Sequence, residues 1–209
     1  MRISVLMPSF LGDFPGAAPN RRKDFIRAVS SFLAQKHMDR ELVIISDGCP
    51  ETIQITKGMW KPELELGRIK LLELDRHEPF TGAVRQAGID AATGEWLCSL
   101  DTDDYMMPHH LTSIACSVDK NIDWAYHDYW IEPYNLKDVR ALYKCDGTIA
   151  TLNNGTTVWR KDIGVSWEGC DGRSDNKLFC SRLLLHTKYR KIYGTGMVIT
   201  NVEIKSQTS

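Results

Sequence analysis

Trp96-Leu97-Cys98-Ser99-Leu100 runs directly into Asp101-Thr102-Asp103-Asp104. Five uncharged, mostly apolar residues bounded by a polar turn read as a fully buried strand. The residues around it set the kind of sheet. Ala83, Val84, Ala87 and Ala91 recur at helical spacing just upstream, with Gly94 expected as the helix C-cap. Ile69 to Leu74 reads as the strand before that helix. Further upstream, Leu42 to Ile45 reads as a strand and Pro50 suits the first turn of a short helix. Phe25, Ile26, Val29, Phe32 and Leu33 make 23 to 36 an amphipathic helix, behind a long loop over 9 to 22 punctuated by prolines, Gly12 and Gly16. Ile3 to Met7 is the first strand, expected to end at Pro8. Downstream, Pro108 opens a helix with Leu111, Ile114, Ala115 and Val118 inward. Asp123 to Ile131 reads as a strand, 139 to 160 as further strands, and Asn176 to Leu185 as a helix.

Strand-helix-strand alternation with near-continuous apolar strands predicts an α/β fold, a mostly parallel central sheet flanked by helices on both faces. Ligands in such sheets bind beyond the carboxyl ends of strands. Four segments follow the four strands: Pro8-Ser9, Ser46-Asp47-Gly48, Asp75 to Pro79, and Asp101 to Asp104.

A chain of 209 residues is one ordinary domain. Charged residues are 25% and hydrophobic ones 43%, which excludes a disordered or fibrous chain. The net charge of -1 argues against a nucleic-acid partner. Six cysteines, none closer than ten residues to another, form no zinc-type pair and read as reduced thiols of a reducing compartment. The apolar start is too short for a signal peptide, and no apolar run approaches a membrane span. The expected location is the cytoplasm (the host's, for a viral protein).

Asp101 and Asp103, two residues apart, would share a face of an extended chain. Carboxylates that close repel unless a cation or hydroxyls lie between them. Oxygen ligands suit Mg²⁺ or Mn²⁺. The alternative is an acidic turn favouring the dipole of the helix after Pro108. A calcium loop is excluded by Tyr105 and Met106, where a polar ligand and a glycine would stand.

Asp47 can accept from a base N–H or a ribose hydroxyl, or can serve only a turn with Gly48. Arg85, on the helix that begins near Thr81-Gly82, can pair with phosphate or lie on the surface. Arg21, Arg22 and Lys23 oppose the dipole of the helix they start, which hints at a nearby anion. Ser174 or Asp175 can cap the helix that follows, or Asp175 can act as a general base. Asn154-Gly155-Thr156, a glycosylation sequon, reads as a turn.

Together, Val5 to Phe10, Ile45 to Gly48, Gly82 to Gly88 with Ala92 to Trp96, and Leu100 to Asp104 through Pro108 resemble the inverting family 2 glycosyltransferases of the GT-A fold. Gly155 to Arg160 and Ser174-Asp175 extend the resemblance to about residue 185. It implies one Rossmann-like GT-A domain over 1-209, with a nucleotide-sugar-binding half, 1-107, and an acceptor-binding half, 108-209. Ser9 and Asp47 would hold the nucleotide base, Pro8 beside them would line the nucleotide-sugar site, and Arg85 would hold the nucleotide or diphosphate. Asp101, with Thr102, would take the ribose and Asp103 a Mn²⁺ or Mg²⁺ ion. Asp175 would be the catalytic base. The partners implied are a nucleotide-sugar donor, UDP-linked, and a glycan or glycoprotein acceptor.

The chain departs from the family pattern at Ser46, where an Asp is usual, at Gln86 for Asn, and at Ser174 for Glu. No His follows His186, where many members place a metal ligand. The short, anchorless chain resembles a viral glycosyltransferase domain of the chlorovirus kind. The rival readings are a sugar nucleotidyltransferase, a phosphatase and a catalytically inactive nucleotide-sugar or glycan-binding module. The first lacks its glycine-rich loop after strand one, and the second lacks a further acidic motif with a lysine.

Overall fold

The computed structural model describes residues 1–13, 19–77, 82–133, 140–170, 175–194 and 196–200. Strand β1 (Ile3–Ser9) leads to helix α1 (Arg21–Leu33) and strand β2 (Arg40–Asp47). Helices α2 (Pro50–Met59) and α3 (Lys61–Glu65) precede β3 (Ile69–Leu74). Helix α4 (Gly82–Ala91) then leads to β4 (Trp96–Ser99). These four strands lie in the order β4-β1-β2-β3, all parallel. Nearly every side chain of β1, β2 and β4 is buried, as a sheet covered on both faces requires.

The connections explain the layering. The chain steps from β1 to β2 to β3 in one direction, then crosses back over β1 to form β4. Right-handed crossovers in opposite directions place their helices on opposite faces. So α1, α2 and α3 share one face, where Phe25 packs edge-on against Trp60, and α4 takes the other. The reversal opens a crevice between the carboxyl ends of β1 and β4, where ligands of open α/β sheets bind.

The rest of the chain widens this sheet and adds a smaller one. Strand β5 (Tyr105–Met106) and helix α5 (His110–Ser117) come first. Next come β6 (Trp124–His127), β7 (Tyr129–Ile131), β8 (Ala141–Tyr143) and β9 (Thr157–Arg160). Helix α6 (Asp175–Leu183) precedes β10 (Tyr189–Ile192) and β11 (Met197–Ile199). β9 runs antiparallel between β4 and β6, and β10 pairs parallel to β6. The large sheet is thus β10-β6-β9-β4-β1-β2-β3, and β5-β11-β7-β8 form the small one.

Several local expectations are corrected. β1 continues through Pro8 to Ser9, because its pairing with β4 stops at Leu6 and the missing proline N–H has no ladder to break on that side. Gly94 is no C-cap. α4 ends at Ala91, and a Cβ at Gly94 would lie 2.5 Å from Ser4 Oγ, so glycine there serves close packing on β1. Asp123 to Ile131 is not one strand but two, in different sheets. Asp128 marks the break, its Oδ1 accepting the Cys145 N–H at 2.8 Å and pairing with Lys191 Nζ at 2.7 Å. β7 and β8 fall within segments expected to be strands, whereas β5, β10, β11 and the pairing into a second sheet are additions that the sequence pattern did not signal. All six cysteines are free thiols; five are buried and Cys116 is exposed.

Candidate active site

Residues 101–104 form a turn, not the extended chain expected, closed by the Asp104 N–H on the Asp101 carbonyl at 3.1 Å. The three acids therefore diverge into separate environments. β5 intervenes before α5 begins at His110, so they do not serve that helix's dipole. Asp101 Oδ1 accepts Arg85 Nη2 at 2.8 Å. Asp103 and Thr102 are part-exposed at the mouth. Asp104 is buried, and its pKa is raised well above the usual carboxylate range, first by burial and then by Asp103 and Asp101.

A network that sequence reasoning missed holds this turn. The Asp103 carbonyl accepts from Arg27 of α1 and from the Thr200 hydroxyl. The Thr200 N–H donates to Asp104 Oδ1 at 3.1 Å. Thr200 directly follows β11, which pairs antiparallel with β5, so the far end of the chain fixes both the turn and its exit.

Arg85 sits on α4 and is 8% exposed. Its Nη2 takes Asp101; its Nε and Nη1 have no hydrogen-bond partner among the described residues. A buried guanidinium with two donor nitrogens to spare is unusual and fits an anion acceptor. Thr81, just upstream, lies outside the described residues.

At the end of β2, Asp47 is buried, and both its oxygens are engaged. Oδ1 accepts the His77 backbone N–H at 2.7 Å, and Oδ2 pairs with the Arg76 guanidinium. Arg76 stacks on Phe10, 3.6 Å from the ring centroid. Gly48 has φ +58°, and a Cβ there would lie 2.7 Å from Arg76 Cβ, so both the turn and the close approach demand glycine. Ser46, standing for the family's usual Asp, serves this turn: its hydroxyl donates to the Cys49 carbonyl at 3.0 Å. The Ser9 hydroxyl shares a 2.8 Å hydrogen bond with Thr52. Pro8 precedes it inside β1.

Arg21, from the basic start of α1, donates to the Gly12 carbonyl and lies 5.9 Å from the Phe10 centroid. Burial lowers its pKa, opposed by the nearby Asp103. Arg21, Arg76 and Arg85 thus give the carboxyl edge a cationic rim facing an acidic turn. Asp175 opens α6 as its first residue; Ser174 and the Gly172-Arg173 segment before it lie outside the described residues.

The acidic turn fits a divalent metal by the chemistry of its donors. Part-exposed Asp103 offers hard oxygen ligands of the kind Mg²⁺ and Mn²⁺ take. Among the described residues no three acidic, His or Cys side chains cluster to enclose a metal. No helix among the described residues is long and apolar enough to cross a membrane.

The family model for Glycosyl transferase family 2 matches residues 17–136, more than half of the chain. The succinoglycan biosynthesis protein ExoO of Rhizobium meliloti is 35% identical over 99 residues, 47% of this chain and 27% of that protein. An uncharacterized glycosyltransferase of Nostoc is 32% identical over 115 residues, 55% of this chain and 32% of its own length. The chain therefore spans about a third or less of these relatives. Among solved structures, Staphylococcus aureus TarS 1-349 in complex with UDP-GlcNAc aligns with a TM-score of 0.74 at 19% identity, covering 100% of this chain and 61% of that one. The mannosyltransferase PcManGT of Pyrobaculum calidifontis, in complex with GDP-Man and Mn²⁺, aligns with a TM-score of 0.65 at 11% identity, covering 98% and 58%. At these identities the likeness is one of fold, and the fold is GT-A.

Proposed function

Because the chain belongs to glycosyl transferase family 2, we propose that it moves a sugar from a UDP-linked donor to a hydroxyl of a glycan or glycoprotein, with inversion at the anomeric carbon. The observation that carries this reading is the Arg85–Asp101 pair at the β1/β4 crevice, with two buried guanidinium nitrogens left for a ligand. A nucleoside diphosphate supplies both partners that such a pair accepts: ribose hydroxyls for the carboxylate and phosphate oxygens for the guanidinium. Pro8, Ser9 and Asp47 line the base end of the same edge, with Arg76 and Phe10 beside them. Thr102 and Asp103 stand at the diphosphate end. The first half, 1-107, would bind the donor and the second, 108-209, the acceptor.

Asp103 would hold a Mn²⁺ or Mg²⁺ ion. When bound, such an ion offsets charge on the departing diphosphate as a Lewis acid. Asp175 would accept the proton of the attacking hydroxyl on the side of the sugar away from the diphosphate. One displacement then inverts the configuration. General-base assistance of this kind contributes about 10²–10⁴-fold.

The test is a panel of UDP-, GDP-, dTDP- and CMP-sugars, screened by thermal shift with Mn²⁺ and with EDTA. Proton NMR of the sugar released or transferred from the best donor follows. The expected result is stabilisation by a UDP-sugar with Mn²⁺ and a product of inverted anomeric configuration. Retention of configuration, or stabilisation by no nucleotide sugar, removes the reading. In the second case the site reverts to the inactive-module alternative.

A further inference from the structure

Arg85 does more than face Asp101. Its guanidinium carbon lies 5.1 Å from the ring centroid of Trp167. Trp167 is fully buried and in turn stacks on Phe179 of α6, centroids 4.2 Å apart and planes 6° from parallel. The next residue on α4, Gln86, holds the same tryptophan from the backbone side: its Oε1 accepts the Trp167 N–H at 2.8 Å. Arg182 of α6 donates to the neighbouring Ser166 carbonyl at 2.6 Å. Trp159 of β9 closes the stack edge-on against Phe179, centroids 5.0 Å apart. A continuous run of contacts thus leads from the Asp101 carboxylate, through Arg85 and Trp167, to Phe179. Phe179 lies four residues after Asp175, and residues i and i+4 share a helix face. The face of α6 that carries Asp175 is therefore the one seated on Trp167.

We propose that Trp167 is a positioning residue for the transfer reaction, a rigid aromatic spacer that fixes the Asp175 carboxylate relative to the donor held by Asp101 and Arg85. It rests on the reading of Asp175 as the base. The physical case is one of stiffness and placement. A flat ring between a guanidinium and a second ring has few ways to move, and interiors transmit strain instead of absorbing it. A misplacement of about 1 Å between reacting groups can cost about 10²-fold. Trp167 touches both sides through different forces, cation–π toward Arg85 and stacking toward Phe179, so a small aliphatic residue satisfies neither. The choice of Gln86, where the family pattern has Asn, gains a reason here. The longer amide reaches across to the Trp167 backbone while its Nε2 bonds Asp90 at 2.8 Å.

The experiment is a double-mutant cycle between Trp167→Leu and Asp175→Asn. Rates are read as nucleotide release from the tightest-binding sugar of the donor panel, and UDP affinity is read by calorimetry. Trp167→Leu alone is expected to lose about 10–100-fold in turnover with UDP affinity changed less than about 3-fold. Trp167→Phe, which keeps a flat face, is expected to restore most of the rate. In the Asp175→Asn background the Leu substitution should cost little more, since the group it positions is gone. Equal losses in both backgrounds, or a Leu variant at the parent rate, overturn the proposal. Asp175→Asn at the parent rate overturns the base assignment and this proposal with it, and is recognised from that single variant alone. Should Trp167→Leu not fold, as its melting curve would report, Phe179→Leu removes the same stack from the α6 side and enters the same cycle with the same two outcomes.

Discussion

The backbone N–H of Thr200 donates to Asp104 Oδ1 at 3.1 Å, across 96 residues of sequence. The Thr200 hydroxyl meanwhile donates to the Asp103 carbonyl and accepts Arg27 Nη2 at 3.2 Å. One residue thus ties down the Asp103 carbonyl and the Asp104 carboxylate at the exit of the acidic turn. Thr200→Val keeps the N–H and the shape but deletes the hydroxyl donor. A single hydrogen bond of this kind contributes about 0.5–1.5 kcal/mol. Affinity for UDP with Mn²⁺ should therefore weaken by up to about tenfold, and Thr200→Ser should recover it. Calorimetry on both variants checks this. A Val variant that lowers the melting temperature but binds UDP with Mn²⁺ at parent strength would make Thr200 a matter of fold alone.

Asp103 is the metal-facing member of the turn in the proposed reading. Asp103→Ala should abolish the difference between UDP binding in Mn²⁺ and in EDTA. The fold should persist, because the side chain is part-exposed and the turn's hydrogen bonds come from the Asp103 carbonyl. Titrations of parent and variant under both conditions read this out directly. Equal UDP affinity of the parent protein with EDTA and with Mn²⁺ would exclude metal-linked donor binding.

What the sequence made legible was whatever is local. The junction of Leu100 with Asp101 could be read because a buried strand and an acidic turn are adjacent along the chain. The same holds for Ile69–Leu74, whose bounds match the expected ones, and for Pro50 at the head of α2. The residues that hold the site in shape were not legible, because their partners are remote: Arg76 is 29 positions from Asp47, and Trp167 is 81 from Gln86. Arg76 in particular falls within one of the four strand-end segments, Asp75 to Pro79, but no local pattern singles it out there. The small sheet was legible only in part, for another reason. β7 and β8 fall within segments read as strands, but β5 and β11 are two or three residues long, too short to show any period, and nothing local tells that the four pair into a second sheet. Arg85 was placed at the site by motif resemblance, yet its burial against Trp167 depends on a contact no spacing encodes.

In the proposed reading Asp47 stands at the base end of the site. Asp47 accepts from Arg76 and from the His77 N–H, and each carboxylate oxygen keeps a second lone pair for a further donor. In the proposed reading that donor is the uracil N–H. UDP should therefore compete with the donor better than GDP does. Asp47→Ala should weaken UDP by about 1–3 kcal/mol, the cost of a polar group left unpaired, and should leave GDP nearly unchanged. Competition titrations with both nucleotides measure it. GDP binding about tenfold tighter than UDP would move the base specificity elsewhere.

The last prediction concerns pH and is independent of any ligand. His110 of α5 and His127 of β6 are fully buried, their rings edge-to-face with centroids 4.9 Å apart. His127 Nδ1 lies 2.8 Å from the Asp128 carbonyl, and the Gly196 N–H meets His110 Nδ1 at 3.3 Å. That last bond needs a neutral His110 ring with Nδ1 as acceptor, since an imidazolium can only donate. Burial holds His127 down to about 4, against the pull of the Asp128 carbonyl and carboxylate. It holds His110 lower than usual as well, helped by His127 and His109. In the unfolded chain both titrate near 6.5. Between about pH 6.5 and 4 the unfolded state therefore binds more protons than the folded one. Stability is full above about pH 6.5 and falls as the pH drops, by up to about 1.4 kcal/mol per pH unit for each histidine. Urea denaturation at pH 7.5, 6 and 5 should show this decline. His127→Gln, which keeps a polar side chain but cannot take the proton, should flatten about half of it while lowering stability at pH 7.5. A decline of the same slope in parent and variant would assign the acid sensitivity to the carboxylates instead of the buried pair.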